Sequence, residues 1–425
     1  MIELLDRLVS IESPADRPLG CHAVQDVVGA EFAALGARLE RHTAANGTPV
    51  LLARWGRQER PVLVLGHVDT VFGVGELARR PFTVHNGRAT GPGVFDMKAG
   101  LVQLVEALRQ LLPRTPEPDL TVLLNADEEL GSPGSEPFLV AEARRSACAL
   151  VLEPGGPGGA MKTARKGIGF YDVEVTGVAA HPGLDFDRGV NAITELAAQL
   201  GELAGFSGLD EGTTVNLGTV SGGTGRNVVA AQAVAQVETR FWTAEAGERV
   251  DAAIRARTPR HANAKITVTG GVHRGPMHPG PGAARLVELA RACAADDGWQ
   301  PGELAVGGVS DANVVAALGV PTVDGMGAEG GGAHGPDEYV LVGTMPRRAR
   351  WLAAVLARLT DPTEVVTIGS LPEVSAAQLP ADRTAGRPEY NTGTRVSRPH
   401  AQRKPGSTEY PHHTSDRNHE AGEAV

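Results

Sequence analysis

Six side chains that can bind a metal ion follow short apolar or glycine-rich stretches of this chain. They are two histidines and four carboxylates, at His67, Asp96, Glu128, Glu129, Glu153 and His334. Imidazole nitrogens and carboxylate oxygens are ligands that zinc takes in catalytic sites. This set of donors suffices for two zinc ions that share one bridging carboxylate, and a metal pair of this kind activates water. The sequence therefore predicts a metal-dependent hydrolase.

Each of the first two donors also has a simpler interpretation. His67 ends the apolar stretch LVLGH, and Asp69 follows two residues later, where its carboxylate can accept the second ring N–H and fix the tautomer. A plain turn histidine is the alternative. Asp96, in GPGVFDMKAG, precedes the start of a helix, where negative charge is favoured even without a metal ion.

The acidic turn in LLNADEELGS is harder to explain without a cation. Glu128 and Glu129 follow an apolar strand, and no Lys or Arg in this stretch neutralises them. One glutamate can bind metal while its neighbour acts as a general base; a solvated acidic turn is the alternative. Glu153 ends the apolar stretch CALVLE, where an unpaired carboxylate is costly to bury. His334 follows three glycines, which allow its loop to fold back onto the sheet.

The elements that must position these side chains alternate between strands and helices. Short apolar strands near 61–66, 120–126 and 149–153, with a helix near 97–112, predict an α/β fold with a mainly parallel mixed sheet and helices on both faces. The candidate ligands follow the carboxyl ends of these strands, where open α/β sheets bind ligands.

From about residue 166 the pattern changes to alternation by twos, as in YDVEVTG and AVAQVETRF, with helical spacing at 188–204 and 247–257. We expect an inserted α+β dimerisation domain with an open sheet face, whose edge strands pair with another copy. The predicted division is 1–165 and 276–360 for the catalytic domain, 166–275 for the insertion, and 361–425 for a disordered polar tail.

Bulk composition limits the partners. A net charge of -10 argues against nucleic acid and anionic membranes, which select clustered Lys and Arg. No apolar run approaches the ~20 residues of a membrane span. The first residues, MIELLDRLVSIESP, indicate an amphipathic helix and not a signal peptide. Three isolated cysteines favour a reduced, cytoplasmic compartment.

In their order and surroundings these motifs resemble the co-catalytic zinc peptidases over roughly residues 1–360. That family includes aminoacylase, acetylornithine deacetylase, succinyl-diaminopimelate desuccinylase and glutamate carboxypeptidase. GPGVFDMKAG, DEELGS and the glycines before His334 are most similar to the glutamate carboxypeptidase (carboxypeptidase G-type) branch. The resemblance implies an exopeptidase that releases a C-terminal amino acid, with glutamate expected, from N-acyl or peptidyl substrates. An N-acyl-amino-acid deacylase is the alternative, and an inactive metal-binding interaction protein is a remote one.

The resemblance also implies which residues hold the metal ions. His67 and Glu153 would bind the first zinc, Glu129 and His334 the second, and Asp96 would bridge the two. Oxygen-rich ligation of this kind also tolerates cobalt or manganese. Two zinc ions per subunit are therefore the expected cofactors.

Further roles follow from the same resemblance. Asp69 would orient His67, and Glu128 would be the general base. His181, in AAHPG, would reach into the partner subunit's site and stabilise the oxyanion, so a homodimer is expected; from its surroundings alone it is a turn histidine. The substrate, a small molecule or short peptide with a free carboxylate, would be bound by Asn227, Arg274 and Ser310. Arg274 would bind the carboxylate, since a guanidinium can do so with two parallel hydrogen bonds.

Overall fold

A computed structural model describes residues 1–361 of the 425-residue chain. The predicted tail lies outside the described residues, apart from Asp361. The helices are α1 (Ile2–Val9), α2 (Pro18–Ala34), α3 (Glu76–Arg79), α4 (Ala99–Leu111), α5 (Glu136–Arg145), α6 (Ala192–Ala204), α7 (Ala244–Arg255), α8 (Pro281–Ala295), α9 (Asp311–Ala317) and α10 (Met345–Leu359). The strands are β1 (Arg38–Thr43), β2 (Pro49–Trp55), β3 (Val62–His67), β4 (Thr83–His85), β5 (Arg88–Thr90), β6 (Leu120–Asn125), β7 (Cys148–Val151), β8 (Met161–Arg165), β9 (Gly167–Thr176), β10 (Thr214–Gly222), β11 (Gln232–Phe241), β12 (Lys265–Arg274), β13 (Glu303–Val306), β14 (Thr322–Val323), β15 (Gly330–Gly331) and β16 (Tyr339–Leu341).

The largest sheet has the strand order β1-β2-β6-β3-β7-β14. Its last four strands are parallel to one another, and β1 and β2 join antiparallel at one edge. Strands β3, β6 and β7 are buried along their whole length, as expected for a parallel sheet covered on both faces. Helices α1, α2, α4, α8 and α10 pack on one face, and α5 and α9 pack on the other. The predicted mixed sheet is confirmed.

A second sheet is antiparallel throughout, with the order β10-β11-β9-β12. Its elements follow one another as strand, helix, two strands, helix and strand, the order that the sequence predicts. In β9, Tyr171, Val173 and Val175 are buried in a core shared with α6 and α7, whereas Phe170 and Glu174 alternate with them and are exposed. The fold class is thereby confirmed, while the domain limits at 165/166 and 275/276 stay a prediction.

Two small sheets complete the described fold. Strands β8 and β13 pair in parallel, and β15-β16-β5-β4 form an antiparallel sheet. Within residues 1–361, no helix combines the length and the apolar character that crossing a bilayer requires.

The carboxyl end of β7 is packed closely by backbone from two other segments. A Cβ atom on Gly100 would lie 2.6 Å from the carbonyl oxygen of Leu152, and one on Gly327 would lie 2.2 Å from the same oxygen. The Gly327 N–H also donates to the carbonyl oxygen of Glu153, at 2.9 Å. The backbone that carries Glu153 therefore leaves no room for a side chain on either neighbour.

We expect Gly327→Ala to lower the free energy of unfolding by about 1–3 kcal/mol, because the added methyl group forces the backbone at Leu152 to move. Gly343→Ala is the matched control, since a Cβ atom there has no neighbour within 4 Å, and its effect should stay within about 0.5 kcal/mol. Urea unfolding of both variants gives the comparison. Equal stabilities would contradict the close packing at the end of β7.

Candidate metal centre

Four of the six candidate ligands lie at one edge of the large sheet. His67 is the last residue of β3, Glu128 and Glu129 begin the turn after β6, and Glu153 follows β7 by two residues. These three strands are adjacent and parallel, and His67 pairs with Asn125 at the end of β6. Because the carboxyl ends of parallel strands meet at one edge, side chains from distant parts of the sequence come together there.

The acidic turn separates its three carboxylates. Asp127 is buried and faces the turn itself, where its Oδ1 accepts from the Ser135 hydroxyl at 2.5 Å and its Oδ2 accepts from the Gly134 N–H at 2.6 Å. Glu128 and Glu129 face the other candidate ligands. The first acidic residue therefore fixes the turn that presents the next two.

The other two ligands come from loops next to the small antiparallel sheet. Asp96 lies in the segment Val94–Lys98, between β5 and α4, and the Asp96–Met97 peptide bond is cis. His334 lies in the loop between β15 and β16, with a backbone φ of 63°. Strand β16 pairs with β5, so the two loops leave the same small sheet.

The Asp96 carboxylate lies between the two imidazoles. Its Oδ1 is 3.2 Å from Nε2 of His67, and its Oδ2 is 3.4 Å from Nε2 of His334. Each imidazole also contacts a second carboxylate: Nε2 of His67 is 3.5 Å from Glu153 Oε1, and Nε2 of His334 is 3.2 Å from Glu129 Oε2. Asp96 is thus shared by two nitrogen donors, each with its own further carboxylate.

Glu128 belongs to the same cluster. Ligand atoms of His67, Glu128 and Glu153 lie within 4.8 Å of one another, as do those of His67, Asp96 and Glu129. The structure therefore brings together all six donors that the sequence singles out.

Asp69 contacts His67 from the opposite side of the ring. Nδ1 of His67 lies 3.0 Å from the Asp69 carbonyl oxygen and 3.5 Å from its Oδ1. Oδ2 of Asp69 accepts the backbone N–H of Glu129 at 3.0 Å. One buried carboxylate therefore contacts the ring of one candidate ligand and the backbone of another.

The surrounding carboxylates stabilise the charged form of both imidazoles. Burial alone would lower the pKa of His67, but its carboxylate partners raise that pKa well above its usual value. The pKa of His334 rises to about 10 for the same reason. The partners are Asp69, Asp96 and Glu153 for His67, and Asp96 and Glu129 for His334.

The carboxylates differ among themselves. Burial opposes ionisation of Asp96, but the imidazoles of His334 and His67 hold its pKa below the usual range. For Glu128, burial, followed by the charge of Glu153, raises the pKa well above the usual value and outweighs the opposing charge of His67. The environment of the cluster therefore shifts the pKa values of Asp96 and Glu128 in opposite directions.

The cluster fits a pair of divalent metal ions by its chemistry. Two imidazole nitrogens and four carboxylates supply nitrogen and oxygen donors of the kind that zinc, cobalt and manganese accept. Oε1 of Glu129 is buried and accepts no hydrogen bond from any described residue. A group of carboxylates this close together needs positive charge to be stable.

Two of the expected substrate-binding residues are buried beside the cluster, with partners of their own. Arg274 ends β12, and its Nη2 lies 3.2 Å from Asp311 Oδ1. The Ser310 hydroxyl donates to Asp324 at 2.7 Å and also accepts the Ala312 N–H at the start of α9. The Ser310 hydroxyl can therefore donate to substrate only if its bond to Asp324 breaks.

The third expected substrate-binding residue, Asn227, and the expected oxyanion-stabilising residue, His181, lie in loops of the antiparallel layer, outside the cluster. His181 is exposed in the loop after β9, where its Nδ1 accepts the Gly183 N–H at 3.1 Å. Asn227 is exposed in the loop between β10 and β11. Both residues are open to solvent in the single chain.

Two residues near the site were not anticipated. Arg165 is buried, donates to Asp324 at 2.7 Å, and places Nη2 3.9 Å from Oε2 of Glu153. Glu338 is buried and accepts three backbone N–H groups around Asp96. The only signal for Arg165 was its position shortly after the strand of Glu153. The sequence signal for Glu338 was weaker still: it is an acidic residue four positions after His334.

Comparisons with known proteins agree with this geometry. The sequence pattern of peptidase family M20/M25/M40 matches residues 63–358. Carboxypeptidase G2 from Pseudomonas sp. (strain RS-16) is 30% identical over 375 residues, covering 84% of this chain and 89% of the carboxypeptidase. A succinyl-diaminopimelate desuccinylase from Cereibacter sphaeroides is 32% identical over 334 residues, covering 72% and 86% of the two chains.

A solved structure has the same fold. The YxeP protein of Bacillus subtilis, described as a dinuclear metal-binding peptidase, superposes with a TM-score of 0.61 at 14% identity. The alignment covers 87% of this chain and 98% of that protein. At this identity the likeness concerns the fold.

Binding of divalent metal should release protons at pH 7. The neighbouring carboxylates raise the pKa values of both imidazoles in the metal-free protein and so favour their protonated forms, whereas a metal ion binds only neutral imidazole. We expect about two protons per chain, and an apparent affinity that rises with pH. Calorimetry in buffers of different ionisation enthalpy measures the number, and His334→Ala should reduce it by about one. Release of no protons by the wild-type chain would contradict the assignment.

Proposed function

The chain belongs to peptidase family M20/M25/M40, and we propose that it is a di-zinc amidohydrolase that releases C-terminal glutamate from N-acyl or peptidyl substrates. The observation that carries this proposal is the Asp96 carboxylate between the imidazoles of His67 and His334, each of which contacts one further carboxylate. A bridging carboxylate with two separate ligand sets is the arrangement that a metal pair requires.

In this proposal His67 and Glu153 would hold one zinc ion, Glu129 and His334 would hold the other, and Asp96 would be shared by both. When bound, such a pair acidifies a water molecule and polarises the carbonyl of the bond to be cleaved. Asp69 keeps the His67 ring oriented through the contacts at Nδ1. Cobalt and manganese remain possible metals, because the donor set is rich in oxygen.

Glu128 is the general base in this mechanism. Its carboxylate accepts a proton from the attacking water and then donates that proton to the nitrogen of the leaving amine. Burial and the neighbouring Glu153 raise the pKa of Glu128, a shift in the direction that a carboxylate needs to accept and then donate a proton. The position of Glu128 beside His67 and Glu153 supports this role.

We propose further that substrate recognition involves both layers of the chain. Arg274, Asn227 and Ser310 would bind the substrate, and the free carboxylate would be bound by Arg274, which already binds a carboxylate in Asp311. His181 would stabilise the oxyanion in the active site of the partner subunit, so the active form would be a homodimer, in the cytoplasm. His181 is exposed in the single chain and is therefore accessible to a partner subunit, which supports this role.

An N-acyl-amino-acid deacylase is the second candidate, favoured by the similarity to the desuccinylase. It would use the same metal ions and the same base, and would differ only in which side of the amide is recognised. We prefer the carboxypeptidase because the match to carboxypeptidase G2 covers 84% of this chain, whereas the match to the desuccinylase covers 72%.

Hydrolysis of a substrate panel, with and without a chelator, tests the proposal. We expect chelator-sensitive release of glutamate from N-benzoyl-glutamate, folyl-glutamate or Gly-Glu. Cleavage of only N-acetyl-ornithine or N-succinyl-diaminopimelate would assign the chain to the deacylases. Metal binding without hydrolysis of any compound would favour the inactive interaction protein.

Exchange of Glu128 for Gln should separate proton transfer from metal binding. We expect Glu128→Gln to lower kcat by about 100-fold or more, because the amide cannot accept the proton, and to leave the metal content unchanged. Glu129→Gln is the paired variant, and it should lose both activity and bound metal. Metal analysis and kcat of the two proteins give the comparison. If Glu128→Gln keeps substantial turnover, Glu128 is not the general base.

A further inference from the structure

The buried carboxylate of Glu338 binds the segment that carries Asp96. Glu338 directly precedes β16 and is 1% exposed. Its Oε2 accepts the N–H of Gly93 at 2.9 Å, and its Oε1 accepts the N–H groups of Phe95 at 2.8 Å and Asp96 at 2.9 Å. Both oxygens are therefore used, and each of these three partners is a backbone amide.

Three hydrogen bonds to one carboxylate restrain the backbone that leads into Asp96, from Gly93 to the Asp96 amide. Burial raises the pKa of Glu338 to about 7, and the three N–H groups oppose that rise because their hydrogen bonds are stronger to the ionised carboxylate. The segment is also confined by packing, since Gly93 has a φ of 70° and a Cβ atom there would lie 2.4 Å from Cγ2 of Thr70. These contacts therefore fix the backbone from which the Asp96 side chain projects.

Glu338 also belongs to the loop that carries His334. The loop returns to the small sheet immediately after Glu338, where Tyr339 pairs with Gly331 on one side and with Thr90 on the other. One side chain thus joins the backbone of the Asp96 segment to the loop that holds His334. These two ligands approach to 3.4 Å, between Nε2 of His334 and Oδ2 of Asp96.

We propose that Glu338 is a positioning residue that fixes the Asp96 carboxylate relative to His334, and thereby sets the affinity for both metal ions together. This inference rests on the proposed function, in which Asp96 bridges the two ions. A bridging ligand contributes to both sites, so a small displacement of Asp96 weakens both. Residues that orient metal ligands typically change metal affinity by about 10–100-fold when they are replaced.

The competing interpretation is that Glu338 only stabilises the fold. A purely structural role would lower the melting temperature of the metal-free and metal-bound forms equally. A positioning role must in addition reduce the rise in melting temperature that metal binding produces, because that rise depends on the affinity of the folded chain. The difference between the two melting temperatures therefore separates the two roles.

Glu338→Gln is the principal variant. Its side chain keeps the size of glutamate, but an amide nitrogen replaces one acceptor and must face a backbone N–H. Glu329→Gln is the matched control: Glu329 is another buried glutamate, and it binds the guanidinium of Arg347 at 2.6 Å and not the Asp96 segment. Glu338→Asp keeps both acceptor oxygens on a shorter side chain and is available if Glu338→Gln does not fold.

The experiment compares thermal melting of chelator-treated and zinc-loaded full-length protein, together with zinc affinity by calorimetry. We expect Glu338→Gln to bind zinc about 10–100-fold more weakly at both sites and to show a smaller zinc-induced rise than wild type. The zinc-induced rise in melting temperature of Glu338→Asp should lie between those of wild type and Glu338→Gln. Glu329→Gln should show the same rise as wild type.

Two results would overturn the inference in different ways. If Glu338→Gln melts at a lower temperature but keeps the full zinc-induced rise, Glu338 is structural only. If Glu338→Gln does not fold, a full rise in Glu338→Asp has the same meaning. If the wild-type chain shows no rise with zinc, cobalt or manganese, the proposed metal centre itself is wrong, and the role of Glu338 falls with it.

Discussion

Several carboxylates lie close together around Asp96, and the surrounding structure must hold them there against their mutual repulsion. Three further carboxylates, Glu128, Glu129 and Glu153, share this small region with two imidazoles. Such a group of acids is unfavourable in a folded chain unless positive charge accompanies it. The chain therefore supports each member from rigid elements: strand ends for most of them, and hydrogen-bonded loops for Asp96 and His334.

A set of buried polar contacts provides that support beneath the site. Oδ1 of Asp311 lies close to the guanidinium of Arg274 and accepts from the Ser132 hydroxyl, while its Oδ2 accepts from the amide of Asn125 at 2.6 Å. Asn125 ends β6, two residues before the acidic turn begins. The ends of β6 and β12, which belong to different sheets, are therefore connected through one aspartate on α9.

Some parts of this arrangement could be predicted from sequence because their cause is local. Strand-end positions of His67 and Glu153 follow from apolar runs that stop at a polar residue, and the buried face of α1 follows from its leucine spacing. The sequence did not predict the roles of Glu338 and Arg165, because their hydrogen-bond partners lie far away in the sequence. Glu338 binds a segment more than 240 residues earlier, and no short motif encodes that contact. The sequence predicts that Arg274 binds substrate, but it does not predict the contact of Arg274 with Asp311. That contact likewise joins residues that are distant in the sequence.

The chain enters the antiparallel layer near residue 165 and leaves it near residue 275, and these two segments lie next to each other. Arg165 and Met277 exchange a pair of backbone hydrogen bonds at 3.0 Å, and the side-chain amide of Asn313 donates to the carbonyl oxygens of both Lys166 and Gly275. A segment whose entry and exit are already neighbours can be lengthened, shortened or exchanged without moving the ends to which it is attached. The antiparallel layer can therefore change in length without moving the strand ends that carry the candidate metal ligands.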